Sequence, residues 1–357
     1  MSVDDRIAAT IRADVRAMAP YAVAKAEGVI KLDAMENPYV LPPALREAVA
    51  TAVARVPINR YPDGPADGVK AALRETLRLD PNIELLLGNG SDEIIQIVTT
   101  AVASPGARIM APDPSFVMYR FYAALAHVAY VPVPLRSDFG LDEGAMLDAI
   151  EREQPALIWL AYPNNPTGNR FDRPGVERVI AAAAGLVAID EAYYAFAGDS
   201  FLPRVLEHPN VVVVRTVSKI GMAGVRLGYV AGHAKWIAEL EKVRPPYNVS
   251  ALAQAVAPVL LRAEAVLGEQ AAAIRAERAR VAQALGTLAG VTVFASETNF
   301  VVVRMPDADR AFAALRAAGI LVKNLNGWHP LLANCLRITV GTPAENDAVL
   351  AALRRLA

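Results

Sequence analysis

Lys219 is the residue with the most chemistry to offer. It closes the run Val211-Val-Val-Val-Arg-Thr216-Val-Ser218-Lys219, whose four consecutive β-branched residues suit an interior strand of a parallel sheet. In open α/β sheets ligands bind beyond the carboxyl ends of the strands, so Thr216, Ser218 and Lys219 would present two hydroxyls and an amine to one crevice. Hydroxyls at such a place bind phosphate. An amine kept from water beside a second cation loses its proton more readily and attacks an aldehyde. Arg226, seven residues on, would be that cation, and its planar fork also matches two oxygens of a phosphate. A Ser-Lys pair by itself is more often a solvated surface loop, so its partners decide the matter.

Two further strands supply partners. Leu186-Val-Ala-Ile-Asp190-Glu-Ala-Tyr193 is an apolar strand ending in a carboxylate, with a tyrosine three positions later. A carboxylate there suits a pyridine nitrogen, because the ion pair keeps the ring protonated and able to accept electrons. Ala156-Leu-Ile-Trp-Leu-Ala-Tyr-Pro-Asn-Asn165-Pro-Thr-Gly168 ends in a turn, and Asn165 and Tyr193 would both donate to a phenolate oxygen on such a ring. Glu84-Leu-Leu-Leu-Gly-Asn-Gly-Ser91-Asp92-Glu93 reads as strand, glycine turn and helix, with Ser91 at the N-cap. Free amides at a helix start bind phosphate, although a plain strand-to-helix turn fits as well. Asp92 counts against an anion there unless its side chain faces away.

These motifs, with Lys31-Leu-Asp-Ala-Met-Glu-Asn37-Pro38, Arg60-Tyr61-Pro-Asp63 and Cys335-Leu-Arg337-Ile-Thr-Val-Gly341, run through nearly the whole chain. In that order and at those intervals they resemble the fold-type I pyridoxal-phosphate-dependent aminotransferases, and within them the histidinol-phosphate aminotransferase family. The resemblance implies that Lys219 carries pyridoxal 5'-phosphate and that Asp190 and Tyr193 complete the catalytic set. It implies that Ser91, Asp92, Phe116, Asn165, Thr216, Ser218 and Arg226 hold the cofactor, Phe116 by stacking on the ring. Tyr21, Asn37, Asn165 and Arg337 are implied at the substrate, with Arg337 gripping its anionic group. Tyr61 is implied to reach a neighbouring subunit's cofactor, which makes a homodimer the catalytic unit. The interval from Lys219 to Arg226 is one residue shorter than in many relatives.

The elements that must position these residues follow from periodicity. Strand and helix alternate from Glu84 to Val217, which predicts a mainly parallel sheet sandwiched by helices, with a smaller α+β domain built from the chain ends. The expected division is an N-terminal arm over 1–40, a large cofactor-binding domain over 41–250, a long linking helix over 251–288 with a break near Pro258, and a small domain over 289–357. Ile7, Ile11, Val15 and Met18 have helical spacing, so residues 4–18 are expected as one amphipathic helix.

A formal charge of −1 over 357 residues, with no long basic block, argues against nucleic acid or an anionic membrane as the main partner. No run reaches the length of a membrane span. The single cysteine, Cys335, forms no intramolecular disulfide, and a cytoplasmic setting is the expectation. His127, His208, His233 and His329 have no metal-ligand spacing. The expected reaction is transamination of histidinol phosphate with 2-oxoglutarate, giving imidazole-acetol phosphate and glutamate. The same chemistry on an aromatic amino acid, decarboxylation of a phosphorylated amino acid, and a non-catalytic phosphate- or nucleotide-binding α/β protein are the alternatives.

Overall fold

The computed structural model describes residues 1–20, 24 and 27–356. Tyr21, expected at the substrate, lies outside the described residues. In chain order the strands are β1 (Ile30–Lys31), β2 (Ile83–Gly88), β3 (Arg108–Asp113), β4 (Ala129–Pro134), β5 (Leu157–Ala161), β6 (Leu186–Asp190) and β7 (Val211–Thr216). After them come β8 (Gly228–His233), β9 (Thr292–Val293), β10 (Phe300–Arg304), β11 (Ile320–Leu321), β12 (Lys323–Asn324) and β13 (Cys335–Thr339).

A seven-stranded sheet in the order β2-β8-β7-β6-β5-β3-β4 forms the centre. Its strands are parallel except β8, which runs antiparallel between β2 and β7. β7 and β8 are joined by short turns with no helical crossover, and a parallel return would need one. The valine run in β7 is buried on both faces. Val211 and Val213 pack into one apolar layer, and Val212 and Val214 into the layer beneath the opposite face. Each fully buried valine contributes roughly 1.5–3 kcal/mol by leaving water, so the strand that delivers Lys219 is anchored along its length.

A second, antiparallel sheet has the order β12-β13-β10-β9. Beside it β1 pairs in parallel with β11, joining the beginning of the chain to its end. Residues 251–288 form two helices, Ala251–Leu261 and Glu264–Gly286, which meet at 78°. Pro258 sits inside the first, and the bend falls at Arg262–Ala263. No single helix among the described residues is long and apolar enough to cross a membrane.

The N-terminal helix expected over 4–18 is instead two, Val3–Thr10 and Ala13–Ala17. Ser2 and Asp5 cap the first reciprocally. Arg12, at the break, turns its guanidinium to the carbonyls of Ala124 and Leu125 at 3.3 and 3.0 Å. That side-chain anchorage replaces continuous helix at the break.

Candidate active site

The carboxyl ends of β5, β6 and β7 open into a cavity of about 250 Å³ lined by Asn165, Asp190, Tyr193, Thr216, Ser218 and Lys219, among others. Ser91, Asp92, Phe116 and Arg226 line it as well. A second cavity of about 400 Å³ continues from it and shares Phe116, Asn165 and Lys219. Arg337, Lys323, Arg120 and His329 line this second space together with Asp33 and Asp113, and Asp113 pairs with Arg120 at 3.1 Å. With three acids against two cations in the first cavity, the second remains the more cationic.

Lys219 sits on a π-helical turn, Ser218–Met222, made possible by Gly221 at φ 118°. Its Nζ donates to the Ala34 carbonyl at 3.2 Å. Burial, and next the Arg337 guanidinium, pull its pKa from 10.5 down to about 8. Arg226, the cation expected from the sequence, acts in the same direction with a smaller effect, because it stands across the cavity beside Asp92 at 3.7 Å. The amine therefore sheds its proton far more easily than a solvated lysine.

Asp190 ends β6, buried at 5 % exposure, and burial lifts its pKa to about 6. Oδ2 accepts from the Tyr119 hydroxyl at 2.6 Å and Oδ1 from the Ala192 amide at 3.0 Å. Among the described residues it forms no ion pair with a cation. Tyr193 is buried edge-on to Phe300, at 5.4 Å between ring centroids, and its phenol is raised by burial and so keeps its proton.

The phosphate-sized end of the cavity is built by missing side chains. A Cβ on Gly228 would lie 2.5 Å from Gly90 C and from Ser91 N, and one on Gly90 would lie 2.7 Å from the Arg226 guanidinium. The turn, the helix start and the arginine therefore approach more closely than any other residue type would allow. Ser91 was expected as the N-cap, but Gly90 takes that place at φ 84° and Ser91 is the first helical residue. Glu93 turns away to the Asn89 amide and the Asn248 side chain, at 2.7 and 2.6 Å. Asp92 does not turn away, and it lines the cavity beside Arg226. The Thr216 hydroxyl is 2.9 Å from that of Ser218.

Arg337, on β13, is 7 % exposed. It donates to Asn165 Oδ1 at 2.7 Å and to the Asp33 carbonyl at 2.9 Å, with its guanidinium 5.4 Å from the Phe300 ring centroid. Asn165 thereby links the two cavities and leaves its own Nδ2 to donate elsewhere.

Two expected site residues stand apart. Asn37 lines neither cavity; its amide donates to the Ile220 carbonyl at 3.2 Å and to Gln270 at 2.9 Å, bracing the turn that carries Lys219. Tyr61 is 83 % exposed, stacked on Tyr247 at 4.8 Å, and touches neither cavity of its own chain. Sequence reasoning missed Tyr119, whose signal was helical spacing. Tyr119 and Ala123 are the buried pair on helix Val117–Leu125.

The residues fit pyridoxal phosphate on their own terms: a buried acid with no cation paired to it among the described residues, a half-buried amine with a depressed pKa, and a glycine-made cradle facing an arginine. Comparison with known proteins agrees. Residues 27–353 match the family aminotransferase class I and II. The chain is 53% identical to histidinol-phosphate aminotransferase 2 of Cupriavidus pinatubonensis, over 96% of this chain and 95% of that one. It is 52% identical to histidinol-phosphate aminotransferase 1 of Ralstonia nicotianae, over 99% and 97%. Among solved structures, histidinol-phosphate aminotransferase from Sinorhizobium meliloti in complex with pyridoxal-5'-phosphate superposes with a TM-score of 0.86 at 27% identity, covering 98% of this chain and 99% of that one. With its fold, its cavity and its sequence in agreement along nearly the full length, the chain belongs to the class I and II aminotransferases.

Proposed function

We propose that this aminotransferase uses pyridoxal 5'-phosphate to move the amino group of histidinol phosphate to 2-oxoglutarate, as a homodimer in the cytoplasm. When bound, the cofactor's pyridine ring supplies a sink for the electrons left at the substrate carbon. The chain's residues do the rest. Asp190 would meet the ring nitrogen, and Tyr193 and Asn165 Nδ2 would donate to the ring oxygen. Ser91, Thr216, Ser218 and Arg226 would hold the cofactor phosphate, with Asp92 beside them, and Phe116 would cover the ring.

Lys219, with its pKa drawn from 10.5 down to about 8, has a far larger neutral fraction near neutral pH than a solvated lysine. That neutral Nζ would take the proton from the substrate Cα and hand it back. Tyr61 would reach the partner's cofactor phosphate, in keeping with its exposure and its distance from its own cavity.

The observation that carries the substrate assignment is the cationic second cavity, where Arg337 and Lys323 stand together and lower the Lys323 pKa by burial and mutual repulsion. Two such groups favour a doubly charged phosphate over a single carboxylate. The test is turnover of histidinol phosphate against histidinol and phenylalanine at equal concentration. Strong preference for histidinol phosphate is expected, and preference for phenylalanine would place the enzyme among the aromatic amino-acid aminotransferases instead.

A further inference from the structure

Tyr119 takes no part in the chemistry described so far, yet it makes the shortest hydrogen bond to Asp190. We propose that Tyr119 is a positioning residue: its hydroxyl, 2.6 Å from Asp190 Oδ2, holds that carboxylate charged and turned toward the cofactor's ring nitrogen. The proposal rests on the cofactor assignment above.

Three observations support it. An ionised carboxylate only accepts, so Tyr119 must donate, and burial with the adjacent acid raises its phenol so that the proton stays available. The tyrosine cannot swing aside. It is fully buried, stacked on Trp159 at 4.8 Å with only 4° between the planes, and its edge meets Phe116 at 5.6 Å. The third is what Asp190 lacks. The Tyr119 hydroxyl and the Ala192 amide are its bonded partners, and both are neutral. Burial alone favours the uncharged acid, and an uncharged acid forms no ion pair with a ring nitrogen. Tyr119 thus joins the residue that covers the ring to the residue that charges it.

The test uses two phosphate-bearing probes without an aldehyde, so that Lys219 does not enter. One is 4′-deoxypyridoxine 5′-phosphate, and the other carries carbon in place of its ring nitrogen. Dissociation constants are measured calorimetrically on the cofactor-free protein and on Tyr119→Phe. The protein should prefer the nitrogen probe, and Tyr119→Phe should lose roughly tenfold of that preference, as expected for a hydrogen bond to a charged group, with little change for the carbon probe. Equal weakening of both probes, or an unchanged ratio, overturns the proposal. If the unaltered protein binds neither probe, the cofactor assignment itself falls and this one with it. A double variant with Asp190→Asn adds a check: the tyrosine substitution should remove no further preference once the acid is gone, and a further loss refutes the role. Should Tyr119→Phe fold poorly, the infrared difference between the unaltered cofactor-free protein and Asp190→Asn at pH 7.5 decides, with an ionised-carboxylate band expected and a protonated-carboxyl band overturning the proposal.

Discussion

Gly228→Ala probes the phosphate cradle with a single methyl group. The added Cβ would lie 2.5 Å from two backbone atoms of the Gly90–Ser91 turn, whereas ordinary contact begins at 3.4 Å. Gly228 cannot retreat, since it pairs with Thr216 on one side and Gly88 on the other. The turn must therefore move by close to 1 Å, taking the start of helix Ser91–Val102 with it. Overpacking of this kind costs about 1–3 kcal/mol in folding stability. Losing one well-aimed donor to a charged phosphate costs a further ~1.5–3 kcal/mol in cofactor binding, which is roughly 10- to 100-fold in affinity.

The assay is titration of the cofactor-free variant with pyridoxal phosphate, followed by absorbance, with thermal unfolding measured in parallel. Gly268→Ala is the control. It lies within helix Glu264–Gly286 with open space where its Cβ would go, and should raise stability slightly without altering cofactor affinity. Unchanged affinity in Gly228→Ala would mean that the phosphate does not rest on the Ser91 turn.

Uptake of pyridoxal phosphate by the cofactor-free protein needs the neutral amine of Lys219, so its rate should climb with pH and level off above about 8; stopped-flow absorbance would show this, and a climb continuing to pH 10 contradicts a depressed lysine. Arg215 and Glu191 form a buried ion pair at 2.8 Å with side chains 6% and 0% exposed, so Glu191→Gln should lower unfolding stability by about 3–5 kcal/mol. Denaturant titration measures this, and a loss under ~1 kcal/mol would mean water reaches the pair. If Tyr61 serves the neighbouring subunit, inactive Tyr61→Ala and Lys219→Ala proteins, unfolded together and refolded, should regain activity through hybrid dimers; no recovery would confine Tyr61 to its own chain.

Much of the site was legible because strand ends announce themselves. Asp190, Thr216 and Lys219 each close an apolar run, and the sheet that such runs imply brings them to one cavity. What stayed hidden depends on orientation. Helix Val117–Leu125 carries Tyr119, Phe121 and Tyr122, and which of them faces a carboxylate some seventy positions away is set by tertiary packing. Asn37 belongs to a motif that suggested a ligand; its Nδ2 donates to Ile220 and Gln270, partners that only the folded chain brings near, and its Oδ1 accepts from the Tyr39 amide. The antiparallel course of β8 was hidden in the same way, since alternation of apolar runs does not record strand direction.

The bond between Arg337 and Asn165 spans 172 positions of sequence. One end stands on the antiparallel sheet and the other just beyond the carboxyl end of β5 in the seven-stranded one. A fragment stopping short of residue 300 would keep the lysine, the acid and the glycine cradle, yet lose Arg337 and Lys323 from the space that receives an incoming charge. The complementary fragment would own the grip and no reagent. Cutting the gene between the two sheets should thus yield two inert pieces, and any activity would have to come from their reassembly.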